Sequence, residues 1–427
     1  MASKIVISSN QCFACQRCGQ CCRRWHVALT ERDLATLRKL DWRSEPDIPA
    51  DPVISIHGHP YLAHRPNGDC VFLEPGSELC RLQRRFGVTA KPVGCRVYPL
   101  NIASTCVGGV SVAARFDCPA TQRNVGPPLA HNRREIEEYV NLLGVSGGSS
   151  ESEVLNPAAV ESLARALREE IVLPAGVPPG RRSLGLWTAA QRLEKLGLGF
   201  LNDAETLRQV LPSVLQGALK RAGKAPSGSL SVFSRAMFRE WLASYLRRDE
   251  EMIRERALAR LRRTATLFLI FAGRSSFGDL GTEHPAVPLR QVHLFPRGAL
   301  RQDVANALED SGTEVWECYW RMVAGRLETL QFCGVCYYGQ SFFVGLRALI
   351  LTYPLVLAAA RCHAAARQAG AIAAEDVRYA TGAIDHSWGR SRLLQMSIWR
   401  HSEEFFYGPR YARLLSALGE GWPRRGP

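Results

Sequence analysis

The cysteines of this chain are concentrated in a way that constrains its fold more than any other feature. Ten of the fourteen lie between Cys12 and Cys118, and five of these fall within the eleven residues from Cys12 to Cys22. Cysteines separated by two residues can turn both thiolates toward one metal ion, helped here by Gly19 in the same segment. This segment is therefore predicted to bind a metal or an iron–sulfur cluster rather than to supply small core residues.

The start of the chain favours a reducing compartment. A secretory signal would carry a basic segment and an apolar run of about 7–15 residues, whereas this chain is polar again by Ser8. We therefore expect a cytoplasmic protein, in which clustered cysteines are metal ligands or reactive groups rather than disulfides. The most apolar stretch, Phe342 to Ala360, contains Arg347 and Pro354. It is predicted to be a buried core helix and not a transmembrane segment.

The net charge of +14 comes from 54 basic and 40 acidic residues. A basic surface favours acidic partners, but the Arg residues are scattered or in pairs such as Arg262-Arg263, and no aromatic-interleaved RNA motif accompanies them. Nucleic acid is not expected as a partner, whereas a protein substrate or protein partner is. The preference for Arg over Lys also fits the coding style of GC-rich bacteria.

Turn-forming residues divide the chain into three predicted parts: a Cys-rich metal-binding or cluster-binding domain over residues 1–126, a helical linker over 127–153 and a helical domain over 154–427. In the last part helix follows helix without intervening strands, which argues against a parallel α/β sheet. The predicted fold class is mainly α. An irregular, metal-stapled, Cys-rich N-terminal domain with a short β-hairpin is followed by an all-helical C-terminal domain.

Helices are predicted from capping signals and apolar periodicity. Thr30 is suited to an N-cap, with Asp33 as a weaker form of the capping-box acid and an apolar stripe from Leu34 to Trp42. Further stripes predict helices over Asn132 to Leu143, Pro157 to Ile171, Ala204 to Leu219, Met237 to about Phe271 with interruptions, Val304 to Leu330 and Phe343 to Arg367.

A β-hairpin is predicted around Gly108-Gly109. The flanking segments, Arg96 to Ser104 and Val110 to Phe116, carry β-leaning residues. Folding back at the glycines would bring the neighbourhoods of Cys95 and Cys118 to one end of the ribbon and leave Cys106 near its tip.

The number of sulfurs exceeds what one ion needs. Cys12, Cys15, Cys18 and Cys22 reproduce the C-x2-C-x2-C-x3-C spacing of ferredoxin ligands, although Arg23 stands where Pro is expected. Five cysteines follow in the same domain, most of them near Gly or Pro, which restrict the backbone beside a sulfur. The whole set is enough for two zinc sites, or for one iron–sulfur cluster with a zinc or spare thiols.

Four ordered motifs carry a family resemblance. They are the run Cys15-x2-Cys18-x2-Cys21-Cys22, then Gly-Asp-Cys70-Val-Phe-Leu, Leu-Cys80, and Lys-Pro-x2-Cys95-Arg-x-Tyr-Pro. This order resembles the zinc- or iron-chelating CxxCxxCC proteins, also called YkgJ-like cysteine-cluster proteins, which include the bacterial flagellin lysine N-methylases. The resemblance covers roughly residues 12 to 120. It implies metal or cluster ligation by Cys15, Cys18, one or both of Cys21 and Cys22, Cys70, Cys80, Cys95 and Cys118.

The resemblance also implies a possible activity, methyl transfer to a protein lysine such as one in flagellin, with S-adenosylmethionine as donor. The residues themselves do not identify a donor site, because neither the glycine-rich loop of a Rossmann-type methyltransferase nor the C-x3-C-x2-C spacing of radical enzymes is present. The alternative is a non-enzymatic protein with structural zinc, or a redox or metal sensor, that acts through a partner. Whether zinc or an iron–sulfur cluster such as 4Fe–4S is bound stays open.

Candidate acids and bases have no spacing that singles them out. Solvated surface positions are expected for all of them, namely Asp69, Glu74, Asp117, His401, Glu403 and Glu404.

The remaining cysteines and histidines have weaker signals. Cys318, Cys362 and the CxxC pair Cys333 and Cys336 are predicted to pack in the core, with metal binding as the alternative. Cys12 and Cys106 lie outside the family pattern, and Cys106 is expected to be a bystander. Among the histidines, loop positions without a role are expected for His57, His59 and His64, with metal ligation as the alternative. His26 is a candidate for a hydrogen bond to a sulfur.

Overall fold

The structure is a computed structural model that describes residues 4–41, 45, 47–56, 58–146, 155–222, 229–247, 257–280, 284–296 and 312–419. Trp42, His57 and the predicted helical residues 304–311 lie outside these ranges. Within them the chain is mainly helical, and its named strands all lie in the N-terminal part. The predicted fold class is confirmed to that extent.

Five strands form two small sheets. They are β1 (Ile5–Ile7), β2 (Val53–Ile56), β3 (His59–Leu62), β4 (Leu100–Ser104) and β5 (Val110–Ala114). β2 and β3 form an antiparallel pair, and the other sheet has the order β1-β5-β4, with β1 parallel to β5. The sequence predicted only the β4–β5 hairpin.

The predicted hairpin is confirmed, with a shorter first strand. Its turn closes through a 3.0 Å hydrogen bond from the amide of Thr105 to the carbonyl of Gly109, and Cys106 lies at the tip. The strand begins at Leu100 rather than Arg96 because residues Val93–Val97 form a helix. That helix follows Pro92, and its first amide donates a 3.0 Å hydrogen bond to the carboxylate of Asp33.

Short helices connect the strands of the N-terminal part. They are α1 (Gln20–Arg24), α2 (Glu31–Arg38), α3 (Arg81–Phe86), α4 (Val93–Val97), α5 (Pro119–Gln122) and α6 (Arg133–Leu143), with 3-10 turns at Val88–Ala90 and Leu129–Asn132. The predicted capping box of α2 is confirmed, since Thr30 accepts from the amide of Asp33 at 3.2 Å and Asp33 accepts from the amide of Thr30 at 2.9 Å.

The rest of the described chain is built from helices. They are α7 (Pro157–Leu167), α8 (Pro179–Leu196), α9 (Leu198–Leu201), α10 (Ala204–Arg221), α11 (Val232–Leu246), α12 (Ala257–Phe271), α13 (Leu289–Val292), α14 (Glu317–Thr329), α15 (Phe342–Ala366), α16 (Ala374–Ser387), α17 (Arg392–Gln395), α18 (Ser397–Tyr407) and α19 (Arg410–Ala417). A π-helical turn, Arg168–Val172, continues α7, and 3-10 turns occur at Phe277–Leu280, Glu314–Trp316 and Val335–Tyr337.

Helix α15 lies at the centre of the helical part. Of the described helices it is the one long and apolar enough to cross a membrane, and 83% of its most apolar window is buried against other parts of the chain. Such burial is typical of a core helix, as the sequence predicted. Its neighbours in the packing include α8, α16 and α18.

The N-terminal part contacts this helical core and also has a core of its own. Cys106 at the hairpin tip and Phe116 after β5 belong to the same hydrophobic cluster as the buried residues of α15. A separate cluster, built around Leu37, Phe72 and Leu82, fills the space between α2, the β2–β3 pair and α3. The predicted division into three parts stays a prediction.

Candidate metal centre

A glycine turn places the cysteine doublet. Gly19 has φ of +66°, a left-handed conformation that favours glycine, and its carbonyl accepts a 2.9 Å hydrogen bond from the amide of Cys22. The turn starts α1, which carries Cys21 and Cys22 with their sulfurs 4.0 Å apart. Two thiolates bound to one tetrahedral zinc lie about 3.8 Å apart, given Zn–S bonds of about 2.3 Å. The doublet is thus spaced for a shared ion.

Arg23 connects three segments that carry cysteines. Its guanidinium donates to the carbonyl of Cys18 at 3.2 Å, lies 3.3 Å from the carboxylate of Asp69 and is paired with Glu78. Asp69 directly precedes Cys70, and Glu78 is two residues before Cys80. The residue that replaces the expected ferredoxin proline therefore holds the cysteine-bearing loops together.

Main-chain hydrogen bonds fix the same loops. The amide of Cys70 donates to the carbonyl of Cys22 at 2.8 Å, and the amide of Leu73 donates to the carbonyl of Cys70 at 2.9 Å. Leu73 in turn pairs with Cys80 in an antiparallel bridge. Three cysteine segments that are distant in sequence are thereby joined through their backbones.

Helix α4 contributes a fourth segment. Cys95 lies in this helix, whose N-terminus is tied to α2 by the bond from Val93 to Asp33. Cys70 is buried in the cluster around Leu37, Phe72 and Leu82, and three half-buried cysteines, Cys22, Cys80 and Cys95, pack against that cluster. We call Cys21, Cys22, Cys70, Cys80 and Cys95 the sulfur cluster.

The ionisation of these thiols is mutually coupled. The hydrogen bond with Cys22 lowers the pKa of Cys21 to about 7, and the same bond together with burial raises the pKa of Cys22. Burial, with a smaller contribution from the negative charge of Cys80, raises the pKa of Cys70 to about 12. Burial also raises the pKa of Cys95 well above its usual range, with added repulsion from Cys70. These thiols lie close enough to repel one another as thiolates, which is the interaction that a bound cation would reverse.

The donors fit zinc or iron in chemical kind. Thiolates are preferred ligands of both zinc and iron–sulfur clusters, and five of them come from four connected segments. Among the described residues, however, no three Cys, His, Asp or Glu side chains are close enough to hold one ion. Formation of a metal site would therefore require the thiols to turn toward a common point.

The other predicted ligands lie around the sulfur cluster. Cys15 is exposed and Cys18 is half-buried, both in the loop before Gly19. Cys118 is buried at the start of α5. It lies near Tyr98, whose pKa is raised by burial and by the charges of Asp117, Cys118 and Cys21. Cys12, outside the predicted set, pairs with Pro128 in a β-bridge.

The histidines are placed beside this region. The rings of His26 and His64 stack with centroids 4.2 Å apart, and His64 forms a β-bridge with Cys70. His59 is exposed at the start of β3. The predicted hydrogen bond from His26 to a sulfur stays a prediction.

The later cysteines separate into two kinds. Cys318 and Cys362 are buried in α14 and α15, and in the described part of the chain neither lies within hydrogen-bonding distance of another cysteine. Cys333, in contrast, has its sulfur 3.2 Å from that of Cys106, and both residues are buried. The expectation that Cys106 is a bystander did not anticipate this contact.

The expectation of a solvated position is wrong for Asp117. This side chain is buried and interacts with Arg115, with Nδ1 of His386 at 3.0 Å and with the hydroxyl of Tyr98, which donates at 3.2 Å. Burial would raise the pKa of Asp117, but the charge of Arg115 and the hydrogen bond with His386 hold it well below its usual range. No sequence signal indicates the contact with His386, which lies 269 residues further along the chain.

The expectation is also wrong for Glu403, which is only 8% exposed. Its carboxylate accepts hydrogen bonds from the hydroxyls of Tyr337 and, at 3.4 Å, Tyr245. Burial raises the pKa of Glu403 to about 7, although the two hydroxyls lower it. Glu403 also lines an open cavity of about 270 Å³ together with Arg400 and His401. A buried carboxyl of perturbed pKa beside a cavity is typical of functional sites.

Comparison with known proteins shows a similarity in the N-terminal part. Residues 14–118 match the family model CxxCxxCC, described as "Putative zinc- or iron-chelating domain". The match covers about a quarter of the chain and confirms the resemblance seen in the cysteine motifs. No curated protein and no solved structure matches the chain.

Proposed function

We propose that the CxxCxxCC domain of this chain, residues 14–118, binds zinc or iron through thiolates of the sulfur cluster. The observation that carries the proposal is the packing of Cys22, Cys70, Cys80 and Cys95 into one cluster, although they come from four separate segments. In our proposal Cys15, Cys18 and Cys118 are further ligands, supplied from the flanking loop and from the start of α5.

A bound metal ion would supply positive charge beside the thiolates of the sulfur cluster. The residues around it would keep the segments in place: Gly19 sets the turn of the doublet, and Arg23 ties the loops of Cys18, Cys70 and Cys80 together. The apolar cluster under the thiols limits access of water to them. The metal would contribute directly to the folding free energy, as it does in other small thiolate sites.

Metal and acid-labile sulfide content, with an absorption spectrum, tests the proposal on full-length protein purified without oxygen. Iron with sulfide and broad visible absorption would indicate a cluster, consistent with an enzyme or a sensor. Zinc alone would indicate a structural site. The matched variants are Cys95→Ser, which we expect to lose most of the metal, and Cys362→Ser, a buried thiol of α15 that should retain it. Protein without metal, or equal metal in both variants, would refute the proposal.

We also propose a specific activity, N-methylation of a protein lysine, for which flagellin is the substrate to test. The family resemblance supports it, and the cavity beside Glu403 favours it independently. A lysine amine must be neutral to act as a nucleophile. A carboxyl with a pKa of about 7 is well matched to accept that proton near neutral pH. S-adenosylmethionine would supply the methyl group.

In this proposal the chain's own residues bind and deprotonate the amine. Glu403 would accept the proton on its carboxylate, while the hydroxyls of Tyr245 and Tyr337 hold that carboxylate in position. Methyl transfer to flagellin from labelled S-adenosylmethionine tests the activity. Glu403→Gln should lower the rate by about 10²–10⁴-fold, whereas Glu138→Gln, which changes an exposed carboxyl on α6, should not. Metal-loaded wild-type protein without transfer would leave the metal-binding proposal standing and remove this one.

A further inference from the structure

Two buried cysteines meet where the N-terminal hairpin contacts the helical part. Cys106 lies at the tip of the β4–β5 hairpin and Cys333 lies in the turn after α14, 227 residues further along the chain. Their sulfurs are 3.2 Å apart, and their exposed fractions are 5% and 1%. Neither residue belongs to the family pattern or to the sulfur cluster.

The backbone around both cysteines is held in place. A Cβ atom on Gly334, the next residue after Cys333, would lie 3.3 Å from the Cβ atom of Cys106, so the hairpin tip rests directly on this turn. The turn is closed by a 2.7 Å hydrogen bond from the amide of Gly334 to the carbonyl of Gln340. The two sulfurs therefore face each other across a fixed contact rather than meeting through flexible loops.

The distance between the sulfurs is within reach of a covalent bond. A disulfide requires an S–S length of about 2.05 Å, so the sulfurs must approach by about 1.2 Å, which side-chain rotation can supply. A cavity also opens beside the hairpin tip. Thr105 and Val107, on either side of Cys106, line an open cavity of about 280 Å³ together with Leu330.

We propose that Cys106 and Cys333 form a reversible disulfide when the protein meets a peroxide, and that this bond fastens the Cys-rich part to the helical part. The thiolate of Cys106 attacks hydrogen peroxide. An S–O bond forms, the O–O bond breaks, and the thiol proton leaves with the departing hydroxide as water. Cys333 then attacks the sulfenic sulfur, so that an S–S bond forms and a second water leaves. The two thiols lose two electrons, and the peroxide is reduced to two waters.

A third thiol, that of Cys336, offers Cys333 an alternative disulfide partner. Cys336 is half-buried on the same turn, and burial raises its pKa to about 12. Cys333 and Cys336 also form a CxxC pair in sequence, for which a disulfide between those two would be the ordinary expectation. The contact in the structure instead pairs Cys333 with Cys106.

The test is a peptide map of the full-length, metal-loaded protein. The reduced protein is treated with hydrogen peroxide, unfolded in an alkylating reagent and digested without reductant. We expect Cys106 and Cys333 in one cross-linked species that a thiol reductant releases. Alkylation of both thiols after peroxide treatment would overturn the proposal, as would a Cys333–Cys336 linkage.

Variants add a second readout. In Cys106→Ser, Cys333 should remain alkylatable after peroxide, whereas in Cys362→Ser the cross-link should form as in wild type. Because the bond closes a long loop, oxidised wild-type protein should melt several degrees above equally oxidised Cys106→Ser. Equal melting temperatures would overturn the proposal that the disulfide fastens the Cys-rich part to the helical part. If Cys106→Ser does not fold, the wild-type peptide map still decides whether the bond forms.

Discussion

The carboxylate of Asp117 lies 3.0 Å from Nδ1 of His386, although 269 residues separate them. This pair joins the end of the β5 segment to α16 and so connects the Cys-rich part to the helical part. Arg115 forms an ion pair with the same carboxylate, and its guanidinium lies 5.2 Å from the centroid of the Trp25 ring. The charges at this junction are buried, so each depends on its partners.

We expect Asp117→Asn to reduce the free energy of unfolding by about 3–5 kcal/mol, because Arg115 would be left buried without its countercharge. Denaturant titration measures the change. The control is Glu137→Gln, which breaks an exposed pair with Arg133 at 3.5 Å and should change the free energy of unfolding by less than about 0.5 kcal/mol. A loss below 1 kcal/mol for Asp117→Asn would contradict this account of the junction.

The buried pair of Asp117 and His386 also makes the free energy of unfolding depend on pH, and the sign of that dependence follows from the pKa of Asp117. The pKa of Asp117 is held well below 3.8 in the folded protein by Arg115 and His386, against the effect of burial. Below pH 3.8 the unfolded chain therefore takes up a proton that the folded chain does not, and the stabilisation declines as the pH falls further. The difference in unfolding free energy between wild type and Asp117→Asn should have its largest value above about pH 4 and should decrease below that pH.

The structural features that were predicted correctly depend on residues that are close together in the sequence. The capping box of Thr30 and Asp33 depends on two residues three apart, and the hairpin tip depends on adjacent glycines, so both were found. The start of β4 was misplaced because Val93 is capped by Asp33 from 60 residues away. The burial of Asp117 and Glu403 was missed for a similar reason, since His386 lies 269 residues after Asp117, and Tyr245 and Tyr337 lie 158 and 66 residues before Glu403.

For the candidate metal site, too, contacts between residues distant in sequence could not be predicted. The cysteine motifs predicted which residues are candidates, and the family match over residues 14–118 agrees with the motifs. Which of these thiols share a cluster depends on contacts such as the bond from Cys70 to Cys22, which no spacing rule contains. The role of Arg23 was visible in sequence only as a departure from the ferredoxin pattern.

We predict that Arg23→Ala lowers metal affinity by about 10–100-fold, the usual cost of losing a residue that orients ligands. Arg23→Lys should restore little, because an ammonium group lacks the fork that reaches Cys18, Asp69 and Glu78 together. Competition with a chelator measures the affinity. Arg133→Ala, which removes an exposed charge from α6, is the matched control. Equal retention of metal by Arg23→Ala and Arg133→Ala would contradict the role given to Arg23.

Gly345 is required where α15 crosses the turn that carries Cys333. A Cβ atom at this position would overlap the carbonyl of Phe332. Gly345→Ala should therefore cost about 1–3 kcal/mol of stability, the range for overpacking, and should impair the cross-link between Cys106 and Cys333. Thermal unfolding and the peptide map test the two effects. Gly370→Ala has no atom within 4 Å of the new Cβ and should leave both unchanged. Wild-type stability in Gly345→Ala would show that the contact is looser than described.

Glu403 should give a pH dependence opposite in sign to that of Asp117. Its pKa is raised by burial to about 7 from 4.5. Between these values the unfolded chain has lost the proton while the folded chain keeps it, so stability is full below pH 4.5 and falls as the pH rises through about 7. Gln cannot ionise, so Glu403→Gln should become more stable relative to wild type across this window, by about 3 kcal/mol at its upper end.

The unfolding free energy of both proteins, measured by denaturant titration from pH 4 to pH 8, tests this prediction. Glu138→Gln is the matched control, since Glu138 is an exposed carboxyl on α6 and its replacement should leave the pH profile of stability close to that of wild type. A profile for Glu403→Gln that runs parallel to wild type would show that Glu403 does not titrate in this window. That result would also remove the physical basis for Glu403 as the proton acceptor in methyl transfer, because a carboxyl of ordinary pKa would be a weak base toward a lysine ammonium.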